Sequence, residues 1–246
     1  TAGRKKRLWW LSLAAAGLLL GLGWFTGYEA LFTAPARALA GLEDTVTVEL
    51  LDYAEETGFG AKAAVRVLDR GIPGKAVYFG GRELLDLEPG TRLTALVEFD
   101  EAVTVGDKES TYYTAQGIFL RLYGDGDTEV VEKGRAGSLR YLPQRLSRQL
   151  RQAIAERFSP GAGGLITAIL TGEREDMDEQ SNSDLEETGL LHITAVSGLH
   201  CSFLIGLLGL LLGRRRRLTA LVGYPVLLFY MLMVGGTPSV GRACVV

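Results

Sequence analysis

The chain has 246 residues, of which 47% are hydrophobic and 22% are charged, and its formal net charge is −3. All 29 acidic residues lie between Glu29 and Glu187, whereas the segments on either side carry only basic charges. A soluble domain does not separate its charges in this way, but a membrane protein with one polar domain does. The composition therefore excludes a simple soluble globular protein and predicts membrane segments at both ends of the sequence.

The first predicted element is an apolar span at Leu8–Gly27, which follows a basic segment at residues 1–7. Tryptophans stand at both ends of the span, as in the aromatic belts of membrane helices. We predict that residues 1–28 form a cytoplasmic basic tag and a membrane helix, which sends the chain from residue 28 onward to the exoplasmic side. A cleaved signal peptide is the alternative, because Ala38-Leu39-Ala40 has the small-residue pattern of a cleavage site.

Residues 41–132 are predicted to form a compact β domain, because short alternating or β-branched runs are separated by Gly and Pro turns. Five or six short strands of this size favour a small OB-like barrel, with a β-sandwich as the alternative. The domain contains 19 acidic and 8 basic residues. Direct DNA binding needs a basic groove, so we expect a docking role instead. The predicted strands are Thr45–Tyr53, Ala61–Asp69, Ala76–Phe79, Thr91–Val105, Gln116–Tyr123 and Thr128–Val131.

A basic amphipathic helix is predicted within residues 133–160. Apolar residues recur at every fourth position from Leu142 to Phe158, and Pro143 suits the first helical turn. Such a helix typically lies in the membrane interface, with its arginines among lipid phosphates. Packing on the barrel and guiding DNA phosphates toward a pore are the alternatives. The expected phosphate or lipid contacts are Arg145, Arg148, Arg151 and Arg157.

Residues 161–246 are predicted to begin a polytopic membrane domain. The span 189–213 has no Asp, Glu, Lys or Arg, and four arginines at 214–217 predict that its end is cytoplasmic. A second span is expected at 218–235. A further apolar run continues to residue 246, so we expect the sequence to be the N-terminal part of a longer polypeptide.

Polar side chains interrupt the first of these spans, among them His192, Ser197 and His200. Because polar groups are costly in hydrocarbon, we expect them to face a protein-lined, water-accessible path. An intramembrane serine hydrolase is the alternative, although Ser197 is not in a G-x-S-x-G elbow and no orienting acid is nearby in sequence. On a helix the two histidines would lie roughly 12 Å apart along the axis. We therefore predict no catalytic residue, no metal site and no cofactor.

Two motifs of this region, HITAVSGLH at 192–200 and PSVGRA at 238–243, resemble the ComEC family of competence proteins. The family comprises inner-membrane channels for DNA uptake in natural transformation, and Tyr112–Phe119 resembles one of its aromatic-rich stretches. The resemblance implies an α+β membrane protein whose exoplasmic OB-like barrel is inserted between transmembrane helices. The residues that it marks as channel positions are His192, Ser197, Gly198, His200, Pro238, Ser239 and Arg242.

The same resemblance implies that the full-length protein translocates single-stranded DNA. Its expected partners are the DNA strand, membrane lipids and other components of the DNA-uptake machinery, and a homo-oligomer is compatible with this role. Members of the family often continue into a metallo-β-lactamase-like nuclease domain. Residues 1–246 do not contain that domain, so no enzyme activity is expected of them.

Overall fold

A computed structural model describes residues 2–72, 74–105, 108–109, 113–135, 137–172, 177–190, 194, 198–213, 215–236 and 240–242. The chain divides into two compact units. Unit 1 comprises Thr1–Leu50, Ala54–Leu87 and Thr91–Lys133. Unit 2 comprises Leu51–Tyr53, Glu88–Gly90 and Gly134–Val246.

Unit 1 begins with helix α1, Ala2–Tyr28, which contains the predicted span. It is rich in alanine and leucine, which are strong helix formers. A π-helical turn, Glu29–Thr33, connects it to α2, Ala34–Leu39, where a proline occupies the first turn. The leucines at the centre of α1 are largely exposed. Helical structure thus extends about three turns beyond Tyr28, the predicted start of the exoplasmic chain, and ends at Leu39 shortly before β1.

The remainder of unit 1 is a closed β-barrel. Its elements are β1 (Glu43–Leu50), β2 (Glu55–Thr57), β3 (Gly60–Val67), β4 (Lys75–Gly80), β5 (Arg92–Glu101), β6 (Thr104–Val105), β7 (Lys108–Glu109) and β8 (Ile118–Glu132). Five strands form the barrel in the order β1-β5-β8-β4-β3, and pairing of β3 with β1 closes it. The β4–β8 pair is parallel, and the other pairs of the barrel are antiparallel. The predicted α+β class and five-stranded OB-like barrel are confirmed, and the β-sandwich alternative is wrong.

The barrel core follows the alternation that the sequence predicts. In β5, Leu93, Ala95, Val97 and Phe99 are buried, and the residues between them are not. Tyr78 of β4 is fully buried, and its hydroxyl lies 3.0 Å from Thr128 Oγ1. This aromatic ring fits only because residue 124 is glycine, since a Cβ there would collide with the Tyr78 phenol.

One predicted break in the barrel is wrong. The sequence Gly-Asp-Gly-Asp at 124–127 suggested a turn between two strands, but β8 runs without interruption through these residues. Val97 pairs with Gly124 and Ala95 pairs with Thr128, so β8 contains extra residues opposite β5 at this point. A β-bulge accommodates the surplus, and glycine tolerates the backbone of a bulge well.

Helix α2 contributes to the barrel core. Ala36 is buried, and Phe32, which precedes α2, stacks on Phe119 of β8 with ring centroids 5.1 Å apart. Tyr28 makes an edge-to-face contact with the same Phe119 ring at 5.9 Å. Arg37 Nε lies 3.3 Å from a Glu101 carboxylate oxygen. The predicted membrane helix is therefore joined to the barrel through packed aromatic residues.

Unit 2 is helical in its described parts. After a short 3₁₀ turn, Leu139–Tyr141, its helices are α3 (Leu142–Arg157), α4 (Pro160–Thr171), α5 (Glu179–Glu187), α6 (Gly198–Leu211) and α7 (Arg216–Met233). The predicted basic helix matches α3. Helix α4 contains the short apolar run at 164–170.

The structure describes the span predicted at 189–213 only in part. Gly189 has φ of 70°, a left-handed conformation that favours glycine, and α6 comprises Gly198–Leu211. Among the described residues, one helical segment, Trp9–Leu39, is long and apolar enough to cross a membrane. The helices Pro160–Thr171, Gly198–Leu211 and Arg217–Met233 are apolar but shorter.

Candidate functional site

The structure describes three of the seven channel-motif residues. Gly198 is the first residue of α6, and His200 is half-buried in the first turn of that helix. Arg242 is exposed. The other four, His192, Ser197, Pro238 and Ser239, lie outside the described residues.

A buried cluster in unit 2 joins the residue that follows the first motif to the second motif. Cys201 directly follows His200, and Val240 lies within the second motif. Both side chains are buried, and they form a cluster with Leu227 and Val234. The structure thus places the end of the first motif close to the second motif, although 37 residues lie between the motifs in the sequence.

Small residues allow the helices of unit 2 to pack closely. A Cβ at Gly223 of α7 would come within 2.7 Å of Ile205 Cδ1 of α6. Close helix approach at glycine is typical of membrane bundles. Helix α7 also contacts α4, because the Tyr230 hydroxyl donates a hydrogen bond of 2.9 Å to the Leu170 carbonyl. The buried face of α4 consists of small or hydroxyl-bearing residues, namely Gly163, Gly164, Thr167, Ala168 and Thr171.

The arginines of α3 differ in their surroundings. Arg145 donates hydrogen bonds to the carbonyls of Tyr141 and Ser138, the turn that precedes the helix. Arg151 is half-buried and Arg157 is exposed. Of the arginines that were expected to contact phosphate or lipid, Arg157 has the most accessible position, and Arg145 satisfies backbone acceptors.

Arg148 belongs to a three-residue contact that the sequence did not predict. Its guanidinium carbon lies 4.2 Å from the centroid of the Tyr53 ring, close enough for a cation–π interaction. The Tyr53 hydroxyl donates a hydrogen bond of 2.8 Å to Glu88 Oε2. Burial is the main reason why the pKa of Tyr53 is raised above its ordinary value of 10.0, and Glu88 raises it further while Arg148 opposes the shift. The phenol therefore stays protonated and keeps donating to Glu88.

Helix α3 exposes part of its leucine stripe and buries one serine. Leu142 and Leu146 are 42% and 43% exposed, whereas Ser147 is 4% exposed. A surface helix of a soluble protein buries its apolar stripe and exposes its polar residues. Ile154, which belongs to the same predicted apolar stripe, is buried, and the contact of this face with lipid stays a prediction. The buried serine was not expected, since it lies outside the leucine stripe.

Comparisons with known proteins agree with the motifs. Residues 169–246 match the model of a protein family described as competence protein. This region is a ComEC-type competence region. The match includes α6, α7 and both motifs, so the resemblance inferred from those motifs is confirmed.

The other comparisons add no functional assignment. A comparison with curated proteins gave no match. Similar solved structures include a putative aspartyl-tRNA synthetase from Leishmania major Friedlin, with 11% identity over 49% of this chain and 27% of that chain and a TM-score of 0.30. The aspartyl tRNA synthetase from Entamoeba histolytica has 12% identity over 76% and 37% of the two chains and a TM-score of 0.31. The asparaginyl-tRNA synthetase from Pyrococcus horikoshii has 11% identity over 65% and 35% and a TM-score of 0.28. The chain spans about a third of the length of these proteins, and TM-scores this low support no conclusion.

Two features of the site were missed at the level of sequence. Tyr53 and Glu88 are 35 positions apart, and no local pattern connects them to each other or to α3. The burial of Ser147 had a weak signal in the sequence, because Pro143, Ser147 and Ile154 recur at the spacing of one helix face. Among the described residues, no group of three or more His, Cys, Asp or Glu side chains is arranged to bind a metal.

Proposed function

We propose that this chain is the N-terminal part of an inner-membrane channel that translocates single-stranded DNA during natural transformation. The observation that carries the proposal is the match of residues 169–246 to the competence protein family. The cluster that joins Cys201, the residue after the first motif, to Val240 of the second motif supports it, since residues that form a single site must come together in space.

In the proposed topology, the N-terminus is cytoplasmic, residues 28–188 are exoplasmic and Arg214–Arg217 are cytoplasmic. The segment Trp9–Leu39 is long and apolar enough to cross the bilayer. The basic residues that precede it, and those between α6 and α7, agree with the tendency of arginine and lysine to remain in the cytoplasm. The shorter helices α6 and α7 would then form a hairpin that begins the channel.

The proposed role of the site is transport and not catalysis. His192, Ser197 and His200 would offer neutral hydrogen-bonding groups to a passing strand, and the second motif would supply Arg242. In unit 2, the exposed leucines of α3 would meet lipid while Arg157 remains available for a phosphate group. The partners in this proposal are single-stranded DNA, lipids and further components of the uptake machinery.

The proposal is tested in a naturally transformable host that produces the full-length protein. Deletion of its gene should leave DNA bound outside the inner membrane and prevent labelled DNA from reaching the cytoplasm. Cytoplasmic uptake at the wild-type level in the deleted strain would refute the proposal.

A point substitution then tests the first motif. His200→Ala should lower transformation while membrane abundance stays near that of the wild type. Leu199→Ala is the matched control, because Leu199 is the preceding residue and is 76% exposed. If uptake and abundance fall together in His200→Ala, the histidine has a packing role and does not line the path.

A further inference from the structure

The outer face of the barrel in unit 1 carries a groove across β1, β5 and β8. Two surface cavities of about 400 and 210 Å³ lie next to each other there, and Leu96 of β5 lines both of them. We call this surface the acidic groove, and the exposed residues that define it are Glu43, Leu96, Glu98, Tyr123, Asp125 and Glu129.

The acidic groove combines apolar and aromatic surface with its carboxylates. Leu96 is 44% exposed, and Tyr123 is 39% exposed. Phe79 of β4 stacks on the Tyr123 ring, with the ring centroids 5.0 Å apart and an angle of 14° between the rings. This contact holds the Tyr123 ring in place, and Glu98 lies directly opposite Tyr123 in the β5–β8 pair.

The negative charges of the groove are not compensated by the barrel. Glu43 and Glu98 lie directly opposite each other in the β1–β5 pair, and like charges in that arrangement are destabilising. Within the part of the chain that the structure describes, none of the four groove carboxylates has an ion pair. Other carboxylates of the barrel do, and their pairs include Glu49–Arg66, Glu55–Lys62, Glu56–Arg82, Asp100–Arg121 and Glu132–Arg92.

A guanidinium group matches the chemistry of this surface. It is planar, it stacks on aromatic rings and it pairs with carboxylates. The neighbouring positions of Tyr123 and Glu98 allow one guanidinium to make both contacts. Glu129 lies opposite Thr94, so the groove follows β5 from Glu98 to Thr94, a distance of about 13 Å that corresponds to about four extended residues. A polyanion such as DNA would instead be repelled by these carboxylates.

We propose that the acidic groove binds an extended, arginine-containing segment of a partner protein. In this docking an arginine stacks on Tyr123 and pairs with Glu98, and an apolar side chain of the segment covers Leu96. Complementary charge of this kind favours fast and specific association. The docking does not depend on DNA transport, because it uses only residues of the barrel.

The test uses the full chain in nanodiscs of neutral phosphatidylcholine, which lack the anionic lipid that attracts basic peptides. Fluorescein-labelled hexa-arginine is the probe, and its binding is measured by fluorescence anisotropy. Glu43→Gln combined with Glu98→Gln should weaken binding about fivefold or more, because two charge pairs are lost. The matched control combines Glu83→Gln with Asp86→Asn, since both are exposed residues of the 3₁₀ helix Arg82–Asp86 and the net charge changes by the same amount. The control should change binding by less than about twofold.

Two further results distinguish docking from a structural role. Tyr123→Ala should weaken binding about three- to fivefold while Tyr123→Phe stays close to the wild type, because phenylalanine keeps the aromatic face. The Glu43→Gln and Glu98→Gln pair should raise Tm by about 1–4 °C, because the repulsion across the strands is removed. If the double variant does not fold, Glu98→Gln alone is measured in the same way.

Three outcomes would overturn the proposal. Equal binding by the groove variant and its control would mean that the peptide responds only to net charge or binds elsewhere. Displacement of the peptide from the wild type by millimolar calcium chloride, but not by sodium chloride of equal ionic strength, would assign the groove to a metal ion. Binding of a single-stranded oligonucleotide that the groove variant loses would assign it to DNA. Failure of the proposed function gives a different result, since cells that lack the protein would then still take up DNA whatever the peptide binds.

Discussion

The contact between Phe32 and Phe119 predicts how strongly the helical N-terminus supports the barrel. Phe119 is 4% exposed, and Phe32 stacks on it with an angle of 25° between the rings. Phe32 also packs against the main core cluster of the barrel. Substitution of Phe32 by alanine therefore removes an aromatic pair and opens a cavity at the edge of this core.

The magnitude follows from the burial of the ring. A fully buried Phe→Ala substitution costs about 3–5 kcal/mol, and an aromatic pair adds about 0.5–1.5 kcal/mol. Phe32 is only partly buried, so a loss of about 2–3 kcal/mol is expected for Phe32→Ala. In a domain of this size, that loss lowers Tm by roughly 10–20 °C.

The assay is urea unfolding of a fragment that spans residues 29–133, followed by circular dichroism. Leu31→Ala is the control, because Leu31 is the preceding residue and is 60% exposed. Its effect should stay within about 0.5 kcal/mol. Equal stability of the two variants would mean that the π-helical turn and α2 are not part of the barrel core.

Three further predictions follow from the described contacts. The stability losses of Tyr53→Leu and Arg148→Gln, measured by thermal unfolding of the full chain, should differ from additivity by about 1 kcal/mol, because the two residues form a cation–π pair. Additive losses would mean that this contact contributes nothing to stability. Burial raises the pKa of the Tyr78 phenol above its ordinary value of 10.0, so Tyr78 ionises first in the unfolded chain. The free energy of unfolding of the 29–133 fragment should therefore fall as the pH rises above 10.0. This dependence on pH should be weaker in Tyr78→Phe, and an equally steep dependence in that variant would contradict the reasoning. Gly58→Cys and Arg215→Cys should react with an impermeant thiol reagent from opposite sides of sealed vesicles. An added side chain at Gly58 meets nothing within 4 Å. Reaction of both cysteines from the same side would exclude the proposed topology.

The barrel was predictable because its strongest signals are local. The alternation of Leu93, Ala95, Val97 and Phe99 identifies a half-buried strand without any knowledge of its neighbours. The error at residues 124–127 has a non-local cause. Glycine and aspartate favour a turn when they are considered alone, but pairing with β5 and close contact with Tyr78 keep them in a bulged strand.

The candidate site was less predictable for a related reason. Periodicity correctly placed a helix at α3 and identified its leucine stripe, yet it does not indicate which stripe faces the rest of the protein. Ser147 and Ile154 are buried, while Leu142 and Leu146 remain exposed. Tyr53, the partner of Arg148, lies in a loop far away in sequence, so the local sequence gives no sign of this contact. The charge pattern of the helix therefore predicts a phosphate ligand for Arg148 instead.

Exposed apolar residues on several helices support a single physical explanation. Leu20 of α1 is 75% exposed, Leu210 of α6 is 76% exposed and Leu221 of α7 is 73% exposed. Removing such a side chain from water stabilises a protein by about 1.5–3 kcal/mol, so a water-exposed fold would forgo this stabilisation at many positions. Hydrocarbon around these helices would supply this stabilisation, which supports the proposed placement of the three helices in a membrane.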